Sequence, residues 1–301
     1  MKRLIFIAFL VIFTVLPKES SAFVARGDSV YFDGYMSWDY KYQWENTVTS
    51  NHLAFERLWI NAAKNISDSS RSYLYVSTSL LRGNIEVQEG SLNLIQPFKR
   101  IDKITAGRFV PPFAREWSEK SLDQLNLPGG YSVIYDQLVY ADDGIQMDFH
   151  KKRLYVSLGS FLGERSGGHV REQKDGKLHS YAKVILTLPS SVDLGGSYRY
   201  SRTRNNLWAA WAKWGYSGKN ISAELVGFGK DVQWFVNYGQ KIAPHFLITV
   251  RYEDLKYQPN RYTSGVRFYT RHVDVKAAFF SSGELASSPL RWGQAEVLFR
   301  F

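Results

Sequence analysis

The chain contains no cysteine. Disulfides, thiolate nucleophiles and cysteine metal cages are therefore excluded, and stability must come from burial and hydrogen bonding alone. Long apolar runs are also scarce. Beyond residue 22 no stretch of 18 apolar residues occurs, which argues against membrane-crossing helices. A 3.6-residue periodicity is missing from the same region. No His-Glu-x-x-His or Gly-x-Ser-x-Gly motif is present. The six histidines are His52, His150, His169, His179, His245 and His272, and none has metal-ligand spacing. Neither an enzyme, a metal site nor a cofactor is expected. Gly129-Gly130 is a turn signal and not a phosphate loop, because no Lys-Ser/Thr and helix follow it. Lys and Arg outnumber Asp and Glu by 38 to 28, but they are spread evenly, unlike the clustered patch of a nucleic-acid binder.

What is present begins with a leader. Lys2 and Arg3 precede an apolar run from Leu4 to Leu16, broken only by Thr14, and Ser20-Ser21-Ala22 supplies small residues at cleavage spacing. Residues 1–22 read as a signal peptide, so the mature chain starts at Phe23. Losing Lys2, Arg3, Lys18 and Glu19 lowers the net charge from +10 to about +8.

Residues 23–301 read as a single all-β domain. Alternation with period two runs almost throughout, as half-buried strands require. Val192, Leu194, Tyr198 and Tyr200 fall on one face of segment 192–201, with Asp193, Ser197, Arg199 and Ser201 on the other. Segments 245–253 and 292–301 repeat the pattern. Sixteen segments follow: 29–41, 52–63, 72–82, 85–95, 101–109, 142–149, 153–163, 178–188, 192–202, 206–216, 219–229, 232–242, 245–254, 262–271, 273–282 and 292–301. Most are about ten residues long, enough to cross the hydrocarbon when tilted. Their even number suits a closed antiparallel transmembrane β-barrel. Fourteen strands is the alternative if two segments are hairpin extensions.

Connections after even segments are short, as at His150-Lys151-Lys152, Pro189-Ser190-Ser191, Ser217-Gly218, Ala243-Pro244 and His272. The longer ones, 110–141, 164–177, 255–261 and 283–291, all follow odd segments. Short turns on one side and long loops on the other are a barrel trait that a soluble sandwich does not need. The loop 164–177 is polar and Gly-containing, and reads as an exposed surface loop. Trp208, Trp214 and Tyr216 share one parity, where rings suit a membrane–water boundary; the alternative is aromatics filling a sandwich core. Phe299 and Phe301 close the last alternating segment, like the C-terminal assembly signal of bacterial outer-membrane proteins. That placement implies the lipid bilayer, lipopolysaccharide and the outer-membrane assembly machinery as partners.

The segment Ile104-Thr105-Ala106-Gly107-Arg108-Phe109-Val110-Pro111-Pro112-Phe113-Ala114-Arg115-Glu116 resembles the signature of the phosphate-selective porin O and P family. There a strand ends in Gly, a basic or polar residue follows, and a Pro-Phe pair opens a long loop. Asp142-Asp143-Gly144-Ile145 fits the strand that follows this loop, and Phe55-Glu56-Arg57-Leu58-Trp59-Ile60 resembles the family's arginine-bearing second strand. The resemblance implies a sixteen-stranded porin, often a homotrimer, with a loop folded into the lumen. No lysine ladder of the kind linked to phosphate selectivity can be placed.

A sixteen-stranded barrel leaves an aqueous channel. The inward parity then assigns Arg57, Arg108, Lys183, Arg199, Lys213, Arg251, Arg267, Arg271 and Lys276 to the pore lining, opposed by Asp148, Asp193, Glu224, Glu253, Asp274 and Glu296. Small anions or polar solutes are the expected passengers, and the excess of cations favours anions modestly, unless the charges pair across neighbouring strands. The loop 110–141 brings Arg115, Glu116, Glu119, Lys120 and Asp123 to a constriction; an external cap or a contact between protomers is the alternative. The rival to an open porin is a structural barrel that sheathes or anchors a partner protein, which conductance separates.

Overall fold

The computed structural model describes residues 30–45, 48–66, 72–81, 84–115, 141–162, 178–202, 206–216, 218–254, 260–271, 273–282 and 291–300. Residues 1–29, Phe301, the whole of loop 164–177 and the greater part of loop 110–141 lie outside these residues.

Sixteen strands form: β1 (Val30–Glu45), β2 (Val48–Asn65), β3 (Tyr73–Leu81), β4 (Asn84–Phe98), β5 (Ile101–Phe109), β6 (Asp142–Lys151), β7 (Leu154–Phe161), β8 (His179–Leu188), β9 (Val192–Tyr200), β10 (Leu207–Tyr216), β11 (Lys219–Phe228), β12 (Asp231–Ala243), β13 (Phe246–Asp254), β14 (Arg261–Tyr269), β15 (Val273–Ser282) and β16 (Arg291–Arg300). Each pairs antiparallel with its neighbours in sequence, and β1 pairs with β16, so the sheet closes. Sixteen strands, not fourteen, make the wall. Closure removes every sheet edge, which a chain in lipid needs because hydrocarbon offers no hydrogen bonds.

The two parities are chemically distinct. On β13 Phe246, Ile248 and Val250 are exposed while Leu247, Thr249, Arg251 and Glu253 are buried. The apolar, exposed set is the outer face and the polar set is the lumen face. Strands β12 to β14 show the aromatic boundaries. Trp234, Tyr252 and Tyr262 stack in sequence near the loop ends, with centroids 5.1 and 4.8 Å apart. Phe246 meets Phe268 at 5.0 Å near the turn ends. Six residues separate Phe246 from Tyr252, roughly 20 Å along a strand. On β16 Phe299 packs edge-on against Trp38 of β1 at 5.6 Å, at the closing seam.

Tight turns join the strands on one side. Lys152 and Ser191 adopt positive φ there (56° and 57°), the backbone that short hairpin turns demand. β1 and β2 run longer than the alternation indicates. Residues 42–51 are strand up to a two-residue connection at 46–47, not loop. The lumen wall also carries flat aromatic rings. A Cβ built on Gly195 would come within 2.1 Å of the Trp211 ring, and one on Gly144 within 2.5 Å of the Phe161 ring. Glycine at these cross-strand positions lets each ring lie against the sheet and leaves the lumen clear of its bulk.

Candidate luminal site

The chain leaves β5 at Phe109 and turns into the barrel. Phe109 packs edge-on against Phe161 at 5.1 Å, and Phe161 against Tyr181 at 5.1 Å. Phe113, fully buried, joins them through Tyr181 at 6.4 Å. This aromatic cluster carries the descending segment down the inner wall of β6 to β8.

At Ala114 φ is 52°. This left-handed conformation aims the two peptide groups at different strands. Ala114 N–H donates to Ser197 Oγ of β9 at 2.8 Å, and Lys183 Nζ of β8 donates to Ala114 O at 2.8 Å. One residue on, Arg115 N–H donates to Glu224 Oε1 of β11 at 3.1 Å, and its guanidinium donates to Ser222 Oγ at 3.3 Å. Lys183, Ser197, Ser222 and Glu224 all lie near the middle of their strands. The loop therefore reaches mid-height of the barrel and six strands around its wall. Three of these four bonds involve a charged group in a buried setting, the strong class of hydrogen bond. Val110, Pro112, Gln146, Tyr155, Lys183 and Ile185 line an open hollow of about 400 Å³ beside the segment.

The inner charges sort into pairs. Arg251 and Arg261 share the Glu253 carboxylate, at 2.6 and 2.5 Å. Arg267 meets Asp274 through its Nε, at 2.9 and 3.1 Å, and through a terminal nitrogen at 2.6 Å. Lys276 lies 3.3 Å from Glu296, and Lys103 3.2 Å from Asp148. The Arg251 guanidinium also stacks 3.9 Å from the Phe235 ring centroid.

Of the residues assigned to the pore lining, Lys183, Arg199, Arg251, Arg267 and Lys276 are buried on the lumen face. Lys213 is half-buried on that face, level with Asp193 and Ser222. Arg57 stands opposite Ser37 in the β1–β2 ladder, and its side chain lies outside the described residues. Two assignments are corrected. Arg108 stands level with Gly90 and Asp143, on the parity of Ile104 and Ala106, so it belongs to the outer face. Arg271 is exposed in the turn beyond β14 and is not in the wall. Among the constriction residues Arg115 is docked as described; Glu116, Glu119, Lys120 and Asp123 lie outside the described residues.

Other functional residues were not singled out in the sequence. Arg261 fell one residue before its expected strand. Ser197, Ser222, Gln146 and Tyr155 carry no signal that separates them from ordinary hydrated wall positions. His179, also buried, has its Nε2 3.3 Å from Ser201 Oγ. Among the described residues no group of three or more His, Asp or Glu could hold a metal.

No protein-family model and no curated protein matches the sequence. Solved structures do match in fold. An outer membrane protein of Vibrio cholerae, OmpT lacking loop L8, superimposes with a TM-score of 0.65 at 12% identity, over 90% of this chain and 99% of that one. A substituted porin of Rh. blastica gives 0.64 at 11%, over 90% and 100%. Salmonella typhi OmpF in complex with daunomycin gives 0.68 at 8%, over 91% and 98%. The barrel thus shares the fold of these proteins.

Proposed function

We propose that this chain is an outer-membrane porin through which small hydrophilic solutes diffuse passively, narrowed by the loop 110–141. The observation that carries this reading is the docking of Ala114 and Arg115 on Lys183, Ser197, Ser222 and Glu224 at mid-height of a closed sixteen-stranded barrel. A barrel of this size is too wide for its own side chains to fill, and a segment held across its lumen sets the size of what passes. The leader at residues 1–22 and the terminal Phe299 and Phe301 support delivery to the bacterial outer membrane, with lipid and lipopolysaccharide around the apolar belt. The Gly107–Phe113 motif supports a relation to the phosphate-selective porin O and P family within this fold.

Anion preference is proposed in a weak form. Arg251, Arg261, Arg267, Lys276 and Lys103 each face a carboxylate, so much of the wall's positive charge is neutralised locally. Planar-bilayer recording of the purified mature protein tests both points. Stepwise conductance is expected, with a reversal potential displaced modestly toward that of the anion under a salt gradient. Deleting residues 118–130 is expected to raise the conductance. Absence of any conductance refutes the channel and favours a structural sheath; clear cation preference refutes the selectivity. Steps in groups of three would support a homotrimer.

A further inference from the structure

The hollow beside the docked loop has a specific chemistry. Gln146 of β6 lines it and is 8% exposed. Its amide Nε2 donates to Asp148 Oδ1 at 2.8 Å. A carboxylate only accepts, so this bond fixes the amide orientation and leaves the carbonyl Oε1 as the group to be satisfied. That oxygen is buried and has no hydrogen-bond partner. Asp148 itself is well supplied, because Tyr155 O–H donates to Oδ1 at 3.0 Å and Lys103 lies 3.2 Å from Oδ2. Ser157 of β7 stands in the ladder between Asp148 and Lys183. It is fully buried, and its hydroxyl, beside that of Tyr155, makes no well-formed hydrogen bond. Lys183 completes the polar set, with its ammonium 5.2 Å from the Trp211 ring centroid. Val110, Pro112 and Ile185 supply the apolar surface.

Two buried polar atoms that make no well-formed hydrogen bond, on or beside one cavity, mark a place where a ligand supplies what the protein does not. The occupant must donate to a carbonyl and must be compatible with an ammonium. Anions without hydrogens, such as sulfate, would leave Gln146 Oε1 unanswered and would face Asp148. A cation would meet Lys183 and Lys103. A hydroxyl group both donates and accepts, and the C–H face of a ring suits Pro112 and Ile185. The volume, about 400 Å³, is at the small end for ligand pockets.

We propose that the hollow is a weak binding site for an uncharged polyol about the size of one hexose ring, placed beside the solute path. It deepens the channel reading by naming a substrate class. Saturation-transfer NMR with D-glucose on the mature protein in detergent micelles tests it without any need for conduction. Saturable transfer is expected, with Kd on the order of millimolar. Gln146→Leu is expected to weaken binding about tenfold, the usual consequence of leaving one hydrogen bond unmade. Ser157→Ala removes a hydroxyl that makes no well-formed hydrogen bond in the fold, and is expected to weaken binding at least threefold, about half a decade. Heat-modified mobility on gels verifies that each variant is folded, and Ser157→Ala decides alone if Gln146→Leu fails to fold. No saturable transfer, unchanged binding in the folded variants, or displacement of glucose by inorganic phosphate overturns the site. A barrel that conducts without binding glucose overturns only this site. One that binds glucose but never conducts overturns only the channel reading.

Discussion

Lysine 183 is the side chain on which the docked loop should depend most. Its ammonium holds Ala114 O at 2.8 Å in a buried setting. A hydrogen bond to a charged group contributes about 1.5–3 kcal/mol. Lys183→Met keeps a side chain of similar length and deletes the charge. The undocked fraction of the loop should therefore rise about 10- to 150-fold, at about 1.4 kcal/mol per decade. Ser197→Ala removes a neutral bond to Ala114 N–H, worth about 1 kcal/mol or roughly fivefold. Because the chain has no cysteine, a single Ala114→Cys reports the docking without interference. The replacement keeps the same Cβ, and the site is only 4% exposed. A charged thiol reagent can reach it only when the segment opens locally. Labelling should be slow in the parent, several times faster with Ser197→Ala and faster still with Lys183→Met. Equal rates in all three would refute the idea that these bonds hold the loop.

Two further outcomes follow from the wall. Glu253→Gln leaves the buried Arg251 and Arg261 around a neutral amide, and should lower stability by about 3 kcal/mol; urea titration of tryptophan fluorescence in lipid vesicles measures it, and a loss below about 0.5 kcal/mol refutes it. Val250→Arg places a charge in the apolar belt and should cost about 2–4 kcal/mol, whereas Thr249→Arg, one residue away on the lumen face, should cost less than about 1 kcal/mol; equal costs in vesicle refolding equilibria would refute the distinction, and the reverse order would mean that the faces are assigned the wrong way round.

The strands were legible because lipid imposes the alternation on every one of them. Segments 101–109 and 273–282 coincide with β5 and β15 to the residue. A charged residue on a strand does not, however, always mark the inward face. Gly107 adopts φ of 120°, and Arg108 beyond it belongs to the outer face. Residues 42–51 read as loop because Asn46-Thr47 interrupts the pattern, yet two residues suffice to turn the chain. That loop 110–141 does something within the barrel could be read from its length and its Pro-Phe start. Its docking partners could not, because Ser197, Ser222 and Glu224 are brought to Ala114 and Arg115 only by the closure of the wall. The pairing of Arg267 with Asp274, or of Lys276 with Glu296, depends likewise on cross-strand register, which one sequence does not state.

The seam between β1 and β16 governs how such a chain can be completed. Fifteen of the sixteen ladders join strands that follow one another along the chain, so they can zip up with little loop entropy to overcome. The last ladder pairs Tyr35–Trp44 with Arg291–Arg300, the two extremities of the described barrel. Until it forms, the sheet has two sticky edges that any neighbouring chain can extend. Loop closure over such a span adds only modestly to the entropy cost, so the greater hazard is capture by the wrong strand. A chain truncated before β16 would keep fifteen strands and still lack the one contact that makes the others safe. The terminal strand, with Phe299 against Trp38, is thus the clasp of the whole assembly.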